Sequence, residues 1–357
     1  MQVLTSQQFA GLITGHVSLA TSAQGVQPLR LPTGDAPYYD PFNRATASMT
    51  AGVRLRLTTN TRCLHLRLHQ LQSYITHPGQ WRTVYELRLN ENAGRRLSPS
   101  GGAQFSNGRV DGDPKAVLEI NDLPAGSNQV ELWLPNTALV TIESVAIDAG
   151  AQWAPWPDNR PRLLFHGSSI THGVGADASS EAWPAVVGRL AAAQLLNLGW
   201  AGSCLISGLA SRVVRDQPAD FITLELGANV YEGGLLKERT FSSAVHSMLS
   251  IVREKHINTP IVVMSPIYAP AWESIAQGDG LTVQQMRTLL QQTVAQRMAA
   301  DRNLHYVSGL DLFGPSDATD LPDGLHPNAA GYTKIGERFH AATKQILPVR
   351  QCAADRL

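Results

Sequence analysis

Between Val53 and Ile147 apolar and polar residues alternate with a period of two. The runs are VRLRLTTN (Val53–Asn60), CLHLRLHQL (Cys63–Leu71), TVYELRLN (Thr83–Asn90), NQVELWLP (Asn128–Pro135) and LVTIESVAI (Leu139–Ile147). That period turns one side of an extended chain to a core and the other to water, so each run predicts a half-buried strand. Turn-forming clusters separate them: Thr59-Asn60-Thr61, Ser98–Gly102, Asn107-Gly108 and Ala125–Asn128. No helical periodicity of useful length intervenes. The pattern predicts an antiparallel sandwich of jelly-roll type from Gly52 to about Asp148. Residues 1–50 carry no such pattern, and PYYDPFNR (Pro37–Arg44) reads as irregular surface chain.

After Asp148 the chain reads AGAQWAPWPDNRPR (Ala149–Arg162), a stretch whose prolines and tryptophans predict a stiff connection. Beyond it short apolar runs alternate with helical patterns. The predicted strands are Arg162–His166, Leu195–Leu198, Phe221–Leu226, Pro260–Met264 and His305–Val307. Between them lies an Ala/Leu-rich helical pattern over Glu181–Leu196, in which Pro184 is tolerable only near the first turn. Further helical faces are Phe241, Val245, Met248, Leu249 and Val252, then Val283, Met286, Leu290, Val294 and Met298, and finally Tyr332, Ile335 and Phe339. Alternating β and α predicts an α/β domain with a doubly wound parallel sheet in three layers, ligands binding at the carboxyl ends of the strands. The expected organisation is a β-sandwich over residues 1–150, a linker over 151–161 and an α/β domain over 162–350.

Composition removes some functions. Lys+Arg and Asp+Glu balance at 29 each, which gives no reason to expect nucleic acid or an anionic membrane surface as partner. No apolar run approaches the roughly 20 residues of a membrane helix. The first residues, MQVLTSQQFAGLITGHV, lack a basic stretch followed by a long apolar one. Cys63, Cys204 and Cys352 are far apart and odd in number, so no disulfide framework is expected. Together these predict a cytoplasmic protein.

The strand ends of the second domain are chemically loaded. Gly167-Ser168-Ser169 follows the first strand, Gly199-Trp200-Ala201-Gly202-Ser203 the second, Gly227-Ala228-Asn229 the third, and Asp323-Gly324-Leu325-His326-Pro327 comes after the fifth. A hydroxyl, main-chain amides beside glycines, a side-chain amide, a carboxylate and an imidazole are the parts of an acyl-transfer site. A serine hydroxyl needs a base to take its proton, and His326 is the candidate. The imidazole needs a carboxylate on its other nitrogen, and Asp323 is the candidate. The oxyanion needs donors, for which the main-chain N–H groups of Ser169 and Gly202 and the amide of Asn229 are candidates.

GSSITHG, the glycine in NLGWAGS, GANV and DGLHPN occur in the order and approximate spacing of the SGNH (GDSL-type) hydrolase superfamily, which the chain resembles from about Arg162 to Leu347. The resemblance implies a flavodoxin-like domain with Ser169 as nucleophile, Gly202 and Asn229 as oxyanion donors, and Asp323 and His326 completing the triad. The G-x-S-x-G elbow of α/β-hydrolases is absent. Two positions depart from the family pattern. Ser168 stands where Gly-Asp-Ser has its Asp, and Val230 where Gly-x-Asn-Asp has its second acid. A β-sandwich ahead of such a domain is similar to some carbohydrate esterases and to acyltransferases acting on sugars of natural products.

The expected activity is a serine esterase that deacylates a sugar or similar hydroxylated substrate through an acyl-enzyme. Acyl transfer to a hydroxyl acceptor and a non-catalytic carbohydrate-binding role are the alternatives. No metal or cofactor is expected. His65 and His69 share a strand face without a supporting carboxylate cluster, and Cys204 reads as a small buried residue rather than a nucleophile. Trp200, Tyr231, Tyr268 and Trp272 follow strand ends and are candidates to line an acyl or sugar pocket.

Overall fold

The computed structural model describes residues 1–73, 83–106 and 109–348. The Asn107-Gly108 turn and Cys352 lie outside the described residues. The chain divides into two compact units. The first is Met1–Asp158 together with Asp177–Ser180, and the second is Asn159–Ala176 and the chain from Glu181 onward.

The first unit is a sandwich of two sheets. Strand Leu64–Ser73 is the spine of one, flanked antiparallel by Lys115–Ile120 and Ala138–Ile147. In the other, Asn128–Trp133 lies between Arg54–Thr59 and Tyr85–Leu89, all antiparallel. The period-two pattern does what it predicts: Leu64, Leu66 and Leu68 are buried, while the alternate His65 and Arg67 are not. Facing them from the second sheet are Leu55, Leu57, Val130 and Leu132, and both inner faces share one core. Each such leucine contributes about 1.5–3 kcal/mol by leaving water. Among the described residues one pairing of this unit breaks the antiparallel rule, because Ala103–Ser106 runs parallel to Leu64–Ser73.

Residues 1–50 are more ordered than their sequence suggests. Ser18–Ser22 and Gly25–Leu29 form a hairpin that joins the first sheet, and Gln2–Leu4 pairs with the end of Ala138–Ile147. Helix Pro41–Ser48 is capped by Asp40, whose carboxylate accepts the N–H groups of Phe42 and Asn43. The Pro/Trp-rich stretch also differs from a plain connection. Trp153–Pro155 adds an edge strand to Arg54–Thr59, and the Arg56 guanidinium lies 3.9 Å from the Trp156 ring centre and 2.6 Å from Asp158. Cation–π attraction and an ion pair thus hold this stretch to the sandwich.

The second unit carries five parallel strands: Arg162–Gly167, Gln194–Gly199, Phe221–Glu225, Ile261–Met264 and Leu304–Val307. Their order is 2-1-3-4-5 counted along the chain. Helix Trp183–Leu190 packs with the last helix, Ala329–Thr343; Gly208–Asp216, Glu238–Arg253 and Val283–Met298 pack as another group. The unit is a three-layer α/β fold with helices covering a buried parallel sheet. Phe165, Trp183 and Phe339 join strand to helices through ring contacts at 5.0–6.3 Å. Helix Trp183–Leu190 is shorter than the predicted 181–196. Ala192 takes a positive φ of 47° and ends it, and the following apolar run becomes the second strand. Pro184 sits in the first turn, where its missing N–H leaves no bond unmade.

Candidate active site

The first strand ends at Gly167. Ser168 caps a single helical turn, Ser169–His172, by accepting the N–H of Ile170. Ser169 is 7% exposed at the start of that turn. Its Oγ lies 2.9 Å from Nε2 of His326, and Nδ1 of His326 lies 2.7 Å from Oδ2 of Asp323. The other oxygen of Asp323 accepts the main-chain N–H groups of Leu325 and His326 at 2.9 and 2.7 Å. Burial works to raise the Asp323 carboxyl, but these donors outweigh it and hold the group well below the usual carboxylate range. Gly175, with φ +95°, lets the chain after the Ser169–His172 turn pass close to the His326 segment. A Cβ there would stand 2.6 Å from the carbonyl oxygen of Pro327. Tyr332 ties the last helix to the same segment by donating to Val174 O at 2.6 Å.

The N–H of Ser169 opens a helical turn, a position with no intrahelical acceptor. Gly202 adopts φ +67° in the loop after the second strand. Asn229 is held by the turn Ala228–Tyr231, entered through Gly227 at φ +120°, where a Cβ would meet Pro266 at 2.8 Å. The Asn229 carbonyl accepts the N–H of Cys204 at 3.0 Å, which turns the NH₂ end of the amide away from Cys204. Ser169, His326 and Asp323 are therefore linked directly, and Asn229 is linked to the Gly202 loop through Cys204. Val230, at the position where the family carries an acid, is fully buried.

A carboxylate that none of the sequence motifs includes lies behind Ser169. Glu225, at the end of the third strand, is 1% exposed. Its Oε2 accepts Ser168 N–H at 2.7 Å, Ser168 Oγ–H at 2.7 Å and Thr171 Oγ1–H at 3.1 Å. Gly167 makes room for it, since a Cβ there would run into both Thr171 Oγ1 and the carboxylate. Burial pushes the Glu225 carboxyl up to about 7 despite these donors. The one signal in the sequence was an acid in the otherwise apolar run FITLEL. Cys204 Sγ donates to the Glu225 carbonyl at 3.5 Å and lies 3.6 Å from Nε2 of His166, whose Nδ1 faces Leu198 O at 2.9 Å. Burial and the Glu225 charge raise the Cys204 thiol well above its ordinary value, so it is no thiolate nucleophile.

The four candidate aromatic residues part company. Trp200 does not line a pocket: it is 1% exposed and sets its ring edge-on to His166. Its N–H continues the strand pairing onto Gly167 O at 2.8 Å, which turns the side chain into the core. Tyr231 is buried beneath Trp272, ring centres 4.5 Å apart, and donates its hydroxyl to Ile275 O. Trp272 and Tyr268 are partly exposed. Their loop is gripped by Arg287, which donates to Pro266 O, Ile267 O and both oxygens of Glu273 at 2.6–2.8 Å. Among the described residues, no group of three or more His, Cys, Asp and Glu side chains is placed to hold a metal ion, and no helix is long and apolar enough to cross a membrane.

The profile of the GDSL-like lipase/acylhydrolase family matches residues 165–334. Among solved structures, the chain is similar to a salicylyl-acyltransferase from a tetracycline biosynthetic pathway, with 30% identity, 95% of this chain and 96% of that one covered, and a TM-score of 0.83. A Bacteroides ovatus structure given as a GDSL-like lipase shares 18% identity over 97% and 98% of the two chains, at a TM-score of 0.73. A family two carbohydrate esterase from Clostridium thermocellum in complex with cellohexaose shares 15% over 83% and 93%, at 0.61. These last two speak for the fold alone. No curated protein sequence matches the chain.

Proposed function

Because the chain belongs to the GDSL-like lipase/acylhydrolase family and acts on acyl esters, we propose that it does so as a serine enzyme working through an acyl-enzyme on Ser169. The observation that carries this reading is the unbroken hydrogen-bond line from Ser169 Oγ through His326 to Asp323. His326 Nε2 takes the hydroxyl proton as Oγ attacks the ester carbonyl. Asp323 keeps the proton of the imidazole on Nδ1, so that Nε2 is free to accept, and stabilises the imidazolium that forms. The N–H groups of Ser169 and Gly202 and the Asn229 amide receive the oxyanion. Collapse expels the alcohol, which leaves with the proton from His326, and a second nucleophile deprotonated by His326 releases the acyl group. Residues 1–150 are, in this reading, an accessory sandwich domain.

In the leading form the second nucleophile is water and the substrate a sugar or similar hydroxylated ester. The likeness across nearly the whole chain to a salicylyl-acyltransferase favours a second form, in which a hydroxyl of a sugar or natural product accepts the acyl group. Intact-mass measurement after mixing with activated acetyl and aryl esters should show one acyl group added, absent in Ser169→Ala. Mass spectrometry of products formed with a panel of polyhydroxylated acceptors then separates the two forms. Acylated acceptor means transfer, and free acid alone means hydrolysis. Undiminished ester cleavage by folded Ser169→Ala would overturn the serine reading altogether.

A further inference from the structure

Three groups of the proposed oxyanion hole come from three strand ends, and one residue touches the support of each. Glu225 Oε2 holds Ser168 and Thr171, the residues on either side of Ser169 and Ile170. Its main-chain oxygen accepts the thiol of Cys204, two residues beyond Gly202. The N–H of Cys204 in turn fixes the carbonyl of Asn229. We infer that Glu225 is the positioning residue of the oxyanion hole. Its carboxylate sets the direction of the Ser169 N–H, and its carbonyl, through Cys204, sets the Gly202 loop and the Asn229 amide. The inference rests on the proposed role of Ser169.

Chemistry explains why a carboxyl stands there. The Ser169 N–H shares its peptide with the Ser168 carbonyl, which accepts the N–H of His172 at 2.9 Å, while the N–H and hydroxyl of Ser168 both end on one Glu225 oxygen, so Ser168 is held on both sides of its Cα. An oxyanion hole works because its donors are aimed before the charge develops, and an error of about 1 Å costs on the order of a hundredfold in rate. Ser168 is what makes this possible. An Asp at that position would set a second carboxylate against Glu225, whereas a serine brings a donor. The titratable groups that face Glu225 are the Cys204 thiol, with His166 of the first strand on its other side, and Tyr332 of the last helix, which also feels Asp323. Cys204 and Tyr332 are both buried groups whose ionisation the Glu225 charge opposes.

The test is steady-state hydrolysis of p-nitrophenyl acetate by the full chain carrying Glu225→Gln, Thr171→Val or both, each checked for folding by its melting curve. The expected result for each single variant is a kcat lower by roughly tenfold to a hundredfold with KM within about threefold, since donors are misaimed while ground-state binding is untouched. The double variant should be no slower than Glu225→Gln, because both changes act through one oxygen. The kcat/KM profile of Glu225→Gln should lose one ionisation that Thr171→Val keeps. Thr171→Val removes no charge and covers the case in which Glu225→Gln fails to fold. Folded variants within twofold of the parent in kcat would overturn the inference. A fluorophosphonate probe separates this failure from that of the parent reading: labelling that persists in Ser169→Ala would sink the nucleophile, whereas labelling confined to Ser169 leaves only the Glu225 role at issue.

Discussion

Trp272 lies stacked on Tyr231, ring centres 4.5 Å apart and planes 22° from parallel. Tyr231 is two residues from Asn229 in the same helical turn, so the stack ties a partly exposed indole to the turn that holds the proposed oxyanion donor. The two rings should respond differently to truncation. Trp272→Ala should leave p-nitrophenyl acetate hydrolysis within about threefold and raise KM for bulky aryl esters about tenfold, as expected for a wall that meets only large acyl groups. Tyr231→Ala should instead destabilise the fold by about 3–5 kcal/mol, because its ring is buried. Esterase kinetics over a series of acyl sizes, with denaturant melts, checks both.

Asp323→Asn should lower kcat by about 10³–10⁴ with little change in KM or melting temperature. The amide keeps the geometry but removes the charge that stabilises the imidazolium, and it favours the wrong tautomer. The main-chain bonds from Leu325 and His326 go to the other oxygen and survive. A loss below about tenfold would remove Asp323 from the triad.

Asn229→Ala should cost roughly 10²–10³ in kcat. The main-chain N–H of Cys204 loses its acceptor at the same time, so Asn229→Asp is the informative companion. It keeps an acceptor for Cys204 but sets a negative charge toward the oxyanion, and it should be at least as slow as the alanine variant.

The contribution of Glu225 to stability should fall as pH rises through the neutral range, against His16, His256 and His305, whose values burial lowers and which act in the opposite sense. Glu225 titrates at about 7 in the folded protein against an ordinary 4.5. Between those values the native state holds a proton that the unfolded chain has lost. The contribution is fully present below about 4.5 and gone above about 7, and it amounts to about 3 kcal/mol. Urea unfolding at pH 5 and pH 8 should show the parent losing about 2–3 kcal/mol more than Glu225→Gln, which has no proton to lose, between the two pH values. Asp323 acts in the opposite sense and at lower pH. Its depressed carboxyl stabilises the fold above its ordinary value, and that contribution is lost as acid protonates it.

Local patterns were legible in the sequence and convergences were not. Leu64, Leu66 and Leu68 declare a half-buried strand because period two is a property of neighbours, and the five parallel strands are apolar for the same local reason. Gly25–Leu29 escaped notice because Pro28 interrupts it and it is fastened to Ile142, more than a hundred residues on. Trp200 follows a strand end, as the sequence predicts, yet the direction of its side chain depends on one extra ladder bond to Gly167. Glu225 looked like an ordinary strand residue, since its three donors come from Ser168 and Thr171, more than fifty residues earlier.

Ser169 and His326 stand 157 residues apart in sequence and 2.9 Å apart in space. The proposed base comes from the segment between the last strand, Leu304–Val307, and the last helix. A chain cut between the last strand and that segment would keep the serine, the glycine loop and the asparagine but lose the imidazole that Ser169 Oγ meets. On the proposed mechanism, ester turnover during refolding counts only molecules in which that segment has docked, and a chain truncated before it holds an unarmed hydroxyl.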